Sequence, residues 1–159
     1  MDDRDLELLE FHKVREILAG FTSFSASREL ALNLVPLLDE EKVRLRLSES
    51  AEARRLLSLS PETNVGEVTD IREMVKMAGL GKVLPPKSLL EIQKSLGAAH
   101  QLRSHLMHLS HEIPLLSGLA KDIVTLDQLV KDIDGCLSPT GELLDSASPK
   151  LASVRHRMR

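Results

Sequence analysis

The stretch Pro85–Leu109, PPKSLLEIQKSLGAAHQLRSHLMHL, constrains this chain more than any other. At ~100° per residue its apolar positions, Leu89, Ile92, Leu96, Ala99, Leu102, Leu106 and Met107, fall on one side of a helix, and His100, His105 and His108 on the other. The paired prolines stand where a first helical turn tolerates them. A helix striped in this way must bury its stripe against another element. The 159 residues include three Phe and no Trp or Tyr, so the packing available is aliphatic. Leu, Ala, Glu, Lys and Arg dominate, and such straight-chain residues lose little rotamer freedom in a helix. The chain is long enough to bury a core without disulfides or metals. An all-α fold is predicted.

The remaining segments read as further helices. Leu6, Leu9, Phe11, Val14, Ile17 and Leu18 recur at helical spacing, with Gly20 as a stop. A second helix starts at Ser25 or Ser27 and ends before Pro36. Asp39 caps a long third helix with an acidic first turn, Arg54 and Arg55 towards its end, and an apolar face of Val43, Leu47, Ala51 and Leu57. A short helix near Asp70 ends at Gly79, and two amphipathic pieces follow Pro114. Pro139-Thr140-Gly141 is turn chemistry between two short apolar runs and predicts a small β-hairpin near the C-terminus. Ser148 then caps a last helix beginning at Pro149. The expected organisation is a helical core over residues 1–135, followed over 136–159 by the hairpin and the start of a further helix.

Charge and cysteine usage narrow the function classes. A formal net charge of −3 gives no whole-molecule attraction to nucleic acid or to an anionic membrane, so any such contact needs a local patch. The candidate patch is the tail, where Arg155, Arg157 and Arg159 follow Lys150 with His156 among them. The single Cys136 cannot make an internal disulfide and fits a reducing compartment. The acidic N-terminus lacks the order of a signal peptide, and no apolar run approaches the ~20 residues that span a bilayer. A cytoplasmic protein without a membrane partner is expected.

No catalytic, cofactor-binding or metal-ligating set is legible. His105, His108 and His111 recur every third residue, the one feature favouring a helical metal-dependent hydrolase, but they lie opposite the apolar stripe and lack Cys or carboxylate partners. Gly79-Leu80-Gly81-Lys82-Val83 superficially resembles a phosphate loop, yet the first glycine of that motif and the hydroxyl after its lysine are replaced by Lys76 and Val83. The pairs Glu40-Glu41 and Asp132-Asp134 read as solvated helix surface.

GELLDSASPKLASVR, Gly141 to Arg155, resembles the segment that introduces the lever helices of MutS-family ATPases, in the second bacterial branch of endonuclease MutS-like proteins. LEFHKV, ALNLVP, DIREMVKMAGLGKVLPPKSLLEI and DIDGCLSPTGELLDSASP follow the same order, so the resemblance covers essentially the whole chain. It implies the helical core or lever domain of a branch without the mismatch-reading domain. In such a parent the lever runs on to a clamp and to an ATPase domain using ATP and Mg, with a nuclease domain beyond. It further implies a homodimer acting on branched DNA to restrain recombination, with the ribosome as another partner. Arg159 would lie on the ascending lever helix, and the chain is expected to be a piece of that longer protein. Since none of the family's ATP-binding or nuclease motifs is present, no catalytic residue carries over. The alternative expectation is a free-standing helical scaffold for protein partners.

Overall fold

A computed structural model describes residues 3–65 and 68–158. Nine α-helices occur among these residues: α1 (Asp3–Leu8), α2 (Phe11–Gly20), α3 (Ser25–Leu32), α4 (Glu40–Leu59), α5 (Arg72–Gly79), α6 (Pro86–His108), α7 (Pro114–Ala120), α8 (Asp127–Cys136) and α9 (Pro149–Met158). The chain forms two compact units. The first holds Met1–Val65 and Leu102–Asp122, and the second Gly66–Gln101 and Ile123–Arg159, so α6 contributes residues to both.

In the first unit the expected opening helix is two. Glu10 adopts a left-handed conformation, φ 51°, which breaks the continuous apolar period between α1 and α2. α2 packs on α3 through the small residues Ala19 and Ala31, both buried. The guanidinium of Arg28 and the hydroxyl of Thr22 both donate to the Ala19 carbonyl, at 3.3 and 2.7 Å, adding to the backbone N–H of Thr22 at the end of α2. The N-cap position of α3 is Phe24 rather than Ser25 or Ser27; Ser27, at the third helical position, accepts from the Phe24 N–H at 3.4 Å and donates to the Phe24 carbonyl at 2.8 Å. Asp39 does cap α4, its Oδ1 accepting from the N–H groups of Glu41 and Lys42 at 3.0 and 3.2 Å.

The face that α4 buries differs from the apolar one expected. Leu47 and Leu57 are exposed, Leu47 by 63%, while Leu56 is buried and Glu49, Glu52 and Ala53 are half-buried beside it. The cause is polar: Glu52 turns inward to accept from the N–H groups of Leu115 and Leu116, at 3.1 and 2.9 Å, in the first turn of α7. Those groups are otherwise orphan donors at the positive end of a helix, so the carboxylate satisfies two of them and meets the dipole favourably. Arg55 pairs with Glu112 one turn further along α4. Ile113, completely enclosed, and Leu106 supply apolar core. His105, expected on the solvated side of α6, is half-buried with Nε2 3.0 Å from Thr63 Oγ1.

In the second unit Ile92, Ile133 and Leu137 are buried, as is Ser95. The Ser95 hydroxyl accepts from Thr69 N–H at 2.9 Å, which satisfies a polar group placed among apolar ones. Gln93 of α6 hydrogen-bonds to Asp134 of α8. Near the C-terminus the expected β-hairpin is not seen. Leu137 and Leu143 form a single antiparallel bridge, flanked by hydrogen bonds from Ser138 N–H to Glu142 O and from Leu144 N–H to Cys136 O at 2.8 and 2.9 Å. Ladders cannot grow from it because Cys136 still belongs to α8 and Asp145–Ala147 already turns as a 3₁₀ helix.

The turn itself is as its sequence suggests. Gly141 N–H donates to Ser138 O at 2.9 Å, and Gly141 has φ 86°, a conformation that favours glycine. A Cβ there would meet Leu90 Cδ1 at 3.6 Å and Pro86 Cβ at 3.9 Å, ordinary contacts, so the penalty for a side chain is conformational. Gly141→Ala should therefore cost about 1–2 kcal/mol, read as a lower denaturant midpoint with an unchanged slope. Gly135→Ala, inside α8 with open space at its Cβ, should instead be neutral or mildly stabilising.

Candidate functional site

α9 carries the basic tail, and its start is held from several sides. Ser148 Oγ accepts from Leu151 N–H at 3.1 Å, capping the helix as its sequence predicts, and Ser146 Oγ donates to Gly135 O at 2.8 Å. Leu151, Ala152, Val154 and Arg155 are half-buried, while Lys150, Ser153, His156 and Arg157 face outward. The predicted nucleic-acid candidates therefore separate. Arg155 Nη1 donates to Leu143 O at 3.0 Å and to Asp145 Oδ1 at 2.6 Å, whereas Arg157 is exposed on the outer side. Arg159 lies outside the described residues. Lys150 and Arg157, seven residues apart, share one face at a spacing of ~10 Å along the axis, and among the described residues of α9 they are the two exposed Lys or Arg side chains that could meet phosphates.

Elsewhere the candidate groups are dispersed. His100 Nδ1 lies 3.2 Å from Asp127 Oδ1 across a cleft of about 370 Å³ between α6 and α8, floored by Leu96 and Val130. His105 bonds to Thr63, and His108 and His111 are exposed. Among the described residues no group of three His, Cys, Asp or Glu side chains could hold a metal ion. Glu40 pairs with Arg44, Asp132 accepts from Gln128 and Asp134 from Gln93, so these carboxylates are tied to neighbours rather than to one another. The Gly79–Val83 stretch does not fit a nucleotide phosphate. Gly79 ends α5, Gly81 turns with φ 74°, and Val83 projects outward at 94% exposure.

Two features escaped the sequence reading. One is Glu52 as the cap of a helix 63 residues away, for which no local signal exists. The other is an open apolar groove of about 610 Å³ in the first unit, lined by Phe11, Leu30, Val35, Leu37, Val43 and Leu47. Its signal was present as an excess of leucines over the positions one helical stripe can bury. Among the described residues no helix is long and apolar enough to cross a membrane.

No family model matches the sequence. It is, however, 35% identical over 158 residues, 99% of its length, to endonuclease MutS2 of Pelotomaculum thermopropionicum. It is 34% identical over its full length to endonuclease MutS2 of Bacillus velezensis, and 36% identical over 97% of its length to that of Thermomicrobium roseum. Along its own length, the chain is homologous to MutS2 proteins. It spans about a fifth of those relatives, 20%, 21% and 20% respectively, and corresponds to their N-terminal region. The helices and turn described above are those of a segment homologous to the N-terminal region of MutS2 proteins. The relatives are named endonucleases, and that name attaches to proteins five times longer than the part matched here.

Proposed function

We propose that this MutS2-homologous segment is the core and lever of a longer DNA-acting ATPase and endonuclease that works as a homodimer on branched recombination DNA and restrains recombination. Identity of about a third sustained over the entire chain is the observation that supports this reading. Its own part is mechanical. Close-packed helices resist continuous deformation and move between discrete arrangements, so they pass movement from one end to the other. On this reading the segment carries motion between the ATPase domain and the DNA clamp, and among the described residues the DNA contact it offers is the Lys150 and Arg157 face of α9. Collided ribosomes are a further substrate that the same lever would serve.

The test is a binding comparison with the full-length protein. It should prefer a four-way junction to linear duplex of equal length and cleave DNA, while residues 1–159 alone should do neither. Lys150→Gln with Arg157→Gln should reduce the slope of log affinity against log salt by no more than about 2. Cleavage by residues 1–159 alone would contradict the assignment, and so would equal affinity of the full-length protein for junction and duplex.

A further inference from the structure

Arg155 occupies a position that a phosphate ligand would not need. Leu137 and Leu143 face each other between two flanking hydrogen bonds, an arrangement in which each residue turns its own N–H and C=O away from the partner strand. The Leu143 carbonyl is thus an edge acceptor of a bridge that goes no further. Arg155 Nη1 reaches it across the start of α9 at 3.0 Å and at the same time reaches Asp145 Oδ1, in the 3₁₀ turn, at 2.6 Å. Three consecutive pieces, the bridge, the 3₁₀ turn and α9, are joined by one guanidinium. The 3₁₀ turn is itself fixed to α8, because Ser146 Oγ donates to Gly135 O.

We propose that Arg155 is a positioning residue: it clamps α9 to the turn that follows α8, so that the helix leaves this unit at one angle. This deepens the lever reading above, on which its mechanical meaning rests, although the clamp itself is a property of residues 1–159. Both contacts come from one nitrogen, Nη1, whose two N–H groups are held in fixed directions in the guanidinium plane, whereas a lysine ammonium is a point charge on a flexible stem. Without the clamp the first turn keeps its Ser148 cap, and among the described side chains of this ten-residue helix Leu151, Ala152 and Val154 are the half-buried ones left to hold it. Helices this short are marginal unless packed. The side chains of Arg155 and Asp145 are 41% and 48% exposed, so the ion pair adds little to global stability and acts on the local equilibrium of α9.

Amide hydrogen exchange on residues 1–159, free of DNA, separates a clamp from a phosphate ligand. Arg155→Gln should speed exchange over Ala152–His156 by roughly two- to five-fold while far-UV circular dichroism and the thermal midpoint stay unchanged. Asp145→Asn should reproduce part of that change. Combining both substitutions should add less than the sum of the two, the mark of a shared interaction. Arg155→Lys should lie between the parent and Arg155→Gln. Unchanged exchange in Arg155→Gln would overturn the proposal and leave the residue free for phosphate. Full rescue by lysine, or additivity with Asp145→Asn, would overturn it too, since the first removes the need for fixed N–H directions and the second shows that the two residues share no contact. These outcomes need neither DNA nor nucleotide, so failure of the clamp and failure of the assignment as a DNA-acting enzyme remain distinguishable.

Discussion

Replacing Ile113 with alanine should destabilise the first unit by about 2–5 kcal/mol. Ile113 is 0% exposed, and both its backbone groups are engaged: its N–H donates to Leu109 O at 3.1 Å and its carbonyl accepts from Ser117 N–H at 2.9 Å. The backbone is fixed on either side, at the end of α6 and the start of α7, so the site cannot collapse around the smaller side chain and a cavity remains. Since domains of this size are stable by only about 5–15 kcal/mol, the loss is a large fraction of the whole. Thermal unfolding should fall by roughly 5 to 15 °C. Leu47→Ala, which removes the same number of carbons from an exposed position of α4, should move it little. Equal sensitivity at the two positions would show that Leu47 is covered and that the burial assigned to α4 is wrong.

Glu52→Gln should cost about 1–3 kcal/mol, although the two side chains are nearly the same size. Each carboxylate oxygen accepts one N–H of α7, from Leu115 and Leu116. An amide supplies one oxygen and an NH₂ that faces the other donor, so one half-buried N–H loses its partner and the charge favoured by the helix dipole is removed. Glu52→Ala should be at least as damaging. Glu40→Gln is the control: exposed Glu40 pairs with Arg44 on its own helix, an interaction worth about 0.2–0.5 kcal/mol. Denaturant midpoints of the three variants check the ranking, and a Glu52→Gln midpoint equal to that of Glu40→Gln would contradict the capping role.

These two residues also mark where the sequence was legible. Helix positions followed from local signals: Asp39 before an acidic turn, Pro85-Pro86 before a stripe, Gly79 after one, and Ser148-Pro149 at the start of α9. Each is settled within a turn or two of chain. The buried face of α4 was not legible, because an inward Glu52 is explained only by an acceptor-seeking helix end far along the sequence. Leu47 and Leu57 therefore looked like core while a carboxylate took the inner position. The β-hairpin failed for a related reason. Pro139-Thr140-Gly141 correctly signalled a reversal, but the length available for pairing was set by where α8 ends and the 3₁₀ turn begins. At the basic tail, composition gathered Arg155 and Arg157 into one patch. The helix sends one inward to Asp145 and Leu143 and the other outward.

The proposed lever role is tested most directly by amide exchange in the full-length protein, measured without nucleotide and with a non-hydrolysable ATP analogue at saturation. Nucleotide should change protection over Leu137–His156, the bridge, 3₁₀ turn and α9, and Arg155→Gln should weaken that change without abolishing nucleotide binding. Identical exchange over these residues in both states, with the analogue demonstrably bound, would contradict a lever that carries motion through this segment.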